Sequence, residues 1–130
     1  MLKKIIAILF LIAGLLLATE IECITYCSIT KGFDVKEYGG ILYFGTDGGL
    51  IVNSDGENKI YDSDDGLYKV SVTCVEKDFR NLFWLGHNDC SFSVYDINKK
   101  STEYLNEIEQ SGIYSLNKIY SSDKFIYIAT

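Results

Sequence analysis

The sequence of 130 residues has no proline and a single arginine, Arg80, set against abundant lysine, isoleucine, tyrosine and asparagine. That pattern matches base-composition bias in a source genome, and no structural reading rests on it. The scarcity of positive charge does carry weight. Net charge is −6, and loss of Lys3 and Lys4 with an N-terminal leader takes it to −8. Without a basic stripe to meet phosphates, nucleic acid is excluded as a partner. Anionic membrane surfaces are disfavoured on the same ground. There is no glycine-rich phosphate loop and no serine elbow. The one histidine, His87, has no cysteine or serine partner in a recognisable motif, so no catalytic constellation can be read. The expectation is a non-catalytic protein with no cofactor and no metal.

Long apolar runs are also missing, save one near the start. Met1 to Lys4 is basic, Ile5 to Ala18 is apolar apart from Gly14, and Thr19 to Glu22 is water-seeking again. A spanning helix needs ~20 apolar residues, whereas a secretory h-region has ~7–15. Residues 1–18 therefore read as a signal peptide with Ala18 near the cleavage point. The protein is expected to be exported, to the periplasm or the bacterial cell surface, without stable membrane insertion apart from the leader. Glu22 before Cys23 argues against lipidation. Cys23, Cys27, Cys74 and Cys90 are an even set in an oxidising compartment, where disulfides are allowed. The Cys23/Cys27 gap is not the CxxC spacing of a zinc knuckle or redox pair. Cys74 and Cys90 fall on expected strands, where burial as small hydrophobes is preferred and pairing stays open.

What the chain does have is a recurring phrase: Ile41-Leu-Tyr-Phe-Gly-Thr46, Leu82-Phe-Trp-Leu-Gly-His87 and Phe125-Ile-Tyr-Ile-Ala-Thr130. Each is four apolar residues, a small residue and a polar one. Gly45 to Gly86 is 41 residues, and Gly86 to Ala129 is 43. Repeats of ~40–50 residues with several short strands per unit are the mark of β-propeller blades. A strand is expected at Ile24–Ile29. In the first unit strands are expected at 35–38, 41–45, 50–52 and 59–61, with Asn53–Asn58 as hairpin chemistry. In the second they fall at Val70–Val75, Leu82–Leu85, Ser91–Tyr95 and Thr102–Leu105. The first and third of these alternate, as a strand with water on one face should, and the second is apolar throughout, as an interior strand should be. The third unit has Tyr114–Tyr120 and Phe125–Ala129 alone.

The fold class is thus all-β: after the signal peptide, an incomplete β-propeller domain over 19–130 made of antiparallel four-stranded sheets. Blades fall at about 33–66, 67–108 and 109–130, the last incomplete. Closed propellers have ~4–8 blades, so the chain is expected to be an N-terminal fragment of a longer protein. Alone it should assemble or aggregate through an apolar edge.

Tyr43-Phe-Gly-Thr-Asp-Gly-Gly-Leu50, Asp65-Gly-Leu67 with Val72, and Asn81-Leu-Phe-Trp-Leu-Gly86 resemble the two-component-regulator propeller repeat. Together with Asn88–Tyr95 and Lys118–Thr130, they are similar more closely still to the N-terminal propeller of the PorZ type, a surface component of bacterial type IX secretion. The resemblance covers roughly residues 24–130. Cys90 departs from it, standing where a turn glycine is usual, and so does His87, where a threonine follows the glycine. Trp84 is followed by leucine, so the WD40 repeat is not matched.

The candidate functional residues each have a plain structural reading. Asp47, Asp55 with Glu57, and Asp62 with Asp64 and Asp65 could offer oxygens to calcium, but none fits the EF-hand spacing and turn formation explains them. His87 is expected to be a satisfied structural histidine. Tyr43, Trp84 and Tyr127 hold equivalent strand positions and are expected in the core rather than stacking on sugars. No catalytic, cofactor or metal residue is assigned, and the binding residues stay open. The resemblance implies a binding platform for a protein or a surface polysaccharide within type IX secretion. The second reading is the extracytoplasmic ligand-sensing propeller of a hybrid two-component kinase.

Overall fold

The computed structural model describes residues 29–106 and 116–129. The cysteines Cys23 and Cys27, the leader, and most of the strand expected at 24–29 lie outside these residues. Ten strands run through the described residues, all in antiparallel sheets of sequential order. The first sheet is β1 (Gly32–Tyr38), β2 (Ile41–Thr46), β3 (Gly49–Ser54) and β4 (Glu57–Tyr61). The second is β5 (Cys74–Lys77), β6 (Phe83–Gly86), β7 (Phe92–Asp96) and β8 (Ser101–Asn106). The third pairs β9 (Lys118–Ser121) with β10 (Ile126–Ala129). The first strands lie side by side, β1 on β5 and β5 on β9. The all-β, propeller-type organisation expected from the repeat is borne out.

Turn chemistry sets the meander. Gly39 and Gly40 (φ 62° and 82°) join β1 to β2, and Asp55 and Gly56 (φ 53° and 83°) join β3 to β4. Two left-handed central residues make the hairpin turn whose twist suits paired strands. Between the first two sheets, the turn at Asp62–Leu67 returns the chain from an outer strand to the inner side, with the Leu67 N–H donating to the Asp62 carbonyl at 3.0 Å. The hydroxyl of Tyr95 donates to the Asp65 carbonyl at 2.6 Å and fastens this turn to the second sheet.

The returning segment corrects one expectation. Val70–Val75 is not the inner strand; that strand starts at Cys74. Residues up to Thr73 are a link that bonds both sheets, the Val72 N–H donating to the Thr46 carbonyl and the Thr73 N–H to the Gly86 carbonyl, each at 2.8 Å. Val72 is fully buried, which gave the link the alternation of a strand. The link also explains the small residue of the repeat. A Cβ on Gly45 would sit 2.6 Å from the Val72 carbonyl oxygen, and one on Gly86 would meet Cys74 Sγ and Leu116 Cδ2.

Two cores lie between the sheets. The first gathers Tyr43, Leu50, Tyr61, Leu67, Val72, Val75, Phe83, Leu85 and Tyr95. The Tyr43 and Phe83 rings meet at 4.7 Å across the junction, a contact worth ~0.5–1.5 kcal/mol beyond its buried area. The second core is leaner: Cys74, Phe92, Leu116 and Ile119, with Trp84, Ile126 and Ile128 against them.

Candidate functional site

The inner strands end together, and their ends form a cleft of about 520 Å³. Tyr38 comes from the end of β1, Lys77 to Phe79 from the end of β5 and the turn after it, and Tyr120 to Asp123 from the end of β9 and its turn. A buried carboxylate holds the three strands in place. Glu76 on β5 is 5 % exposed and reaches both neighbours. Its Oε2 accepts from the Lys36 ammonium at 2.8 Å and the Tyr38 hydroxyl at 3.1 Å. Its Oε1 accepts from the Ser121 N–H and hydroxyl, both at 3.0 Å. Burial pushes this carboxyl up, but Lys36 and the Ser121 donors outweigh it and hold the group below its ordinary range. Asp34 adds a second tie, accepting from the Val75 N–H at 2.9 Å.

The turn that follows β5 is fixed by Asp78. Its carboxylate accepts from the N–H groups of Arg80 and Leu82, from the Arg80 guanidinium at 2.6 Å and from the Trp84 indole at 3.0 Å. Burial raises this carboxyl, and those donors outweigh burial and hold it low. With Asp78 fully engaged, the turn presents Phe79 66 % exposed, facing the cleft that Tyr120, 58 % exposed, lines from the third sheet. The Lys77 ammonium lies 5.7 Å from the centroid of the Tyr38 ring, and the Asp123 carboxylate stands exposed on the far turn. Two open aromatic faces, an ammonium and a carboxylate suit a polar ligand with apolar faces of its own. The residues that line the cleft include no histidine or cysteine.

The residues singled out from sequence lie elsewhere. His87 is 1 % exposed, with Nδ1 2.8 Å from the Ser71 carbonyl and Nε2 2.8 Å from Ser93 Oγ. The carbonyl can only accept, so Nδ1 carries the proton and Nε2 takes the serine hydroxyl. Burial holds the imidazole below its ordinary range. This pairing corrects the reading of 91–95 as half-solvated: every residue of β7 is buried, Ser93 included, because His87 satisfies it. The acidic turns bind backbone, as Asp47 does at Thr30 and Lys31 and Asp62 at Asp64. Among the described residues Cys74 and Cys90 form no disulfide; Cys74 is buried, but Cys90 sits in a turn and not on a strand. That turn forms with Cys90 at φ 66°, its N–H donating to the His87 carbonyl at 3.2 Å.

Of the three equivalent aromatics, Tyr43 is core, Trp84 is half-buried and stacked on Phe92 at 5.5 Å, and Tyr127 is 56 % exposed. The core expectation for Tyr127 is therefore corrected, since no described sheet follows its own. Glu76 was missed by sequence reasoning. Aligning the repeat on Gly45 and Gly86 would have placed Lys36 and Glu76, of opposite charge, at one strand position.

No family model matches the chain, and no curated protein matches it. A solved structure that is similar is the extracellular domain of a protein described as a hybrid two-component system of B. thetaiotaomicron. Identity is 21 % and the TM-score 0.57, over 79 % of this chain and 14 % of that one. The likeness is one of fold, and the chain spans about one seventh of that domain's length. No helix among the described residues is long and apolar enough to cross a membrane.

Proposed function

We propose that this chain supplies blades of an exported, non-catalytic propeller that binds ligand outside the cytoplasm as the sensing part of a hybrid two-component system. The observation that carries this reading is the shared fold with the extracellular domain of such a system. Between the two readings drawn from the repeat phrases, it favours the sensor over a type IX secretion platform, which rests on those phrases alone. The cleft at the inner-strand ends is the ligand site in this proposal. Phe79 and Tyr120 offer flat apolar faces, while Lys77 and Asp123 offer polar partners, the mixture that a carbohydrate requires. The acidic chain, at −6 overall, has no part in nucleic-acid binding. Isothermal titration of the purified protein against bacterial surface polysaccharide and its oligosaccharides tests this. Saturable heat that is lost in Tyr120→Ala and Asp123→Ala is the expected result. Heat that is absent, or unchanged in both variants, would count against the cleft as the site.

A further inference from the structure

The three walls of the cleft belong to three sheets, and no strand ladder joins one sheet to the next. At this end of the inner strands their spacing is set by side chains. The main chain of Lys77, on the middle wall, is clasped from both sides. Its N–H donates to the Tyr38 hydroxyl at 3.1 Å, and its carbonyl accepts from the Ser121 hydroxyl at 2.8 Å. Tyr38 lines the cleft from the first sheet and Ser121 from the third. The hydroxyl proton of Ser121 has a second acceptor in reach, Glu76 Oε1 at 3.0 Å.

Both clasping residues are held in turn by Glu76, which does not itself line the cleft. Tyr38 donates to its Oε2, and the Ser121 N–H donates to its Oε1. The Tyr38 hydroxyl is thus fixed twice, as acceptor from Lys77 and as donor to Glu76. Lys36 does not line the cleft either. Its ammonium, 2.8 Å from Oε2, balances the charge that Glu76 carries into a place 5 % exposed.

We propose, on the reading of this cleft as a carbohydrate site, that Glu76 with its partner Lys36 is a positioning residue for the ligand: it fixes Tyr38 and Ser121 on the two outer walls at the spacing that the sugar meets. Walls already at their bound spacing spare the ligand the cost of ordering them. The precision needed is fine, since a binding group must sit within ~0.5 Å of its productive place. Glu76 therefore acts on the ligand through the walls and not by touching it. Loss of the Lys36 ammonium leaves a buried carboxylate uncompensated, which takes a proton or turns toward water. Either change weakens its hold on Ser121, which lies 45 residues on and in another sheet.

The test compares the purified protein with Lys36→Met, Lys36→Arg and Glu76→Gln. Calorimetric titration with oligosaccharides of bacterial surface polysaccharide reads affinity, and proton–nitrogen correlation NMR without sugar follows the Ser121 amide, whose bond to a carboxylate is charge-assisted. Lys36→Met should shift the Ser121 amide and weaken binding roughly five-fold or more, although Lys36 is on the first sheet and outside the cleft lining. Lys36→Arg keeps the cation and should restore both readings. Glu76→Gln should weaken binding likewise while far-ultraviolet circular dichroism is retained, a second reading where Lys36→Met folds poorly. An unmoved Ser121 amide in Lys36→Met, affinity kept in Lys36→Met or Glu76→Gln, or a loss that Lys36→Arg does not restore would overturn the proposal. A parent protein that gives no saturable heat would overturn the carbohydrate reading and the proposal with it, an outcome distinct from sugar binding that ignores Lys36.

Discussion

The two junctions between sheets are built at the same repeat positions from different material. The first is rich in aromatics: Tyr43 meets Phe83 at 4.7 Å, and Tyr61 meets Tyr95 at 6.3 Å. The second has Trp84 stacked on Phe92 at 5.5 Å within one sheet, but what crosses from the third sheet is smaller, Leu116 and Ile119 against Cys74, and its polar tie is Ser121 on Glu76. Within this chain the repeat thus keeps where a residue points and leaves open how much the contact contributes. The heavier junction should therefore respond more strongly to truncation.

The largest expected effect lies there. Phe83→Ala removes a ring that is 1 % exposed and should lower unfolding stability by ~3–5 kcal/mol, against ~0.5–1.5 for Ile119→Val at the second junction. Urea denaturation monitored by tyrosine and tryptophan fluorescence measures both, and equal losses would break the contrast. Next comes Glu76→Gln. It strands Lys36, whose side chain is 22 % exposed, and should cost ~2–3 kcal/mol, less than the ~3–5 for a fully buried pair.

That substitution also has a pH signature. Because the folded Glu76 carboxyl is held below its ordinary range, its stabilisation is present above the unfolded value of ~4.3 and is lost as pH falls through the lower folded value. His87 acts higher. Its folded imidazole is also held low, so below the unfolded value of ~6.5 the unfolded chain takes a proton that the folded one refuses. Stability should fall in two acid steps, and Glu76→Gln should shrink the lower one, which Asp78 and other carboxylates held low share, while leaving the upper one intact. Denaturation midpoints from pH 8 downward would reveal whether both steps survive in the variant.

Smaller effects separate the two repeat glycines. Gly45→Ala drives a methyl into a backbone carbonyl, whereas Gly86→Ala meets the side chains of Cys74 and Leu116. The first should cost ~1–3 kcal/mol and the second less, since side chains can yield where backbone cannot. The smallest change is a gain. Cys90 holds a left-handed conformation, and Cys90→Gly should stabilise by ~0.5–1 kcal/mol, read as a rise in the denaturation midpoint.

Much of the fold was legible because the repeat is a physical necessity at Gly45 and Gly86, where the link or its neighbours crowd the strand. The hairpin at Asn53–Asn58 was legible for a similar reason, since Asp55 and Gly56 accept positive φ. Burial was harder to read. Val72 alternates like a strand residue because a link lies between two sheets and is buried from both sides. Ser93 looked solvated because its partner, His87, is six residues away in sequence and on the neighbouring segment. Tyr127 read as core because its neighbours in the repeat are core, yet burial depends on the next sheet and not on the residue. The candidate cleft was not legible at all. Tyr38, Phe79 and Tyr120 come from three sheets, and Glu76 looked like any charge on a strand until its partners, 40 and 45 residues away, were in place.

Successive sheets stack so that Glu76 bonds across them, and a double-mutant cycle on Lys36 and Glu76 puts this to the test. Unfolding free energies of Lys36→Ala, Glu76→Ala and the double variant give the coupling between residues 40 apart in sequence and on different sheets. A coupling of at least ~1 kcal/mol is expected. Additivity within ~0.3–0.5 kcal/mol, the value for sites that do not touch, would contradict it.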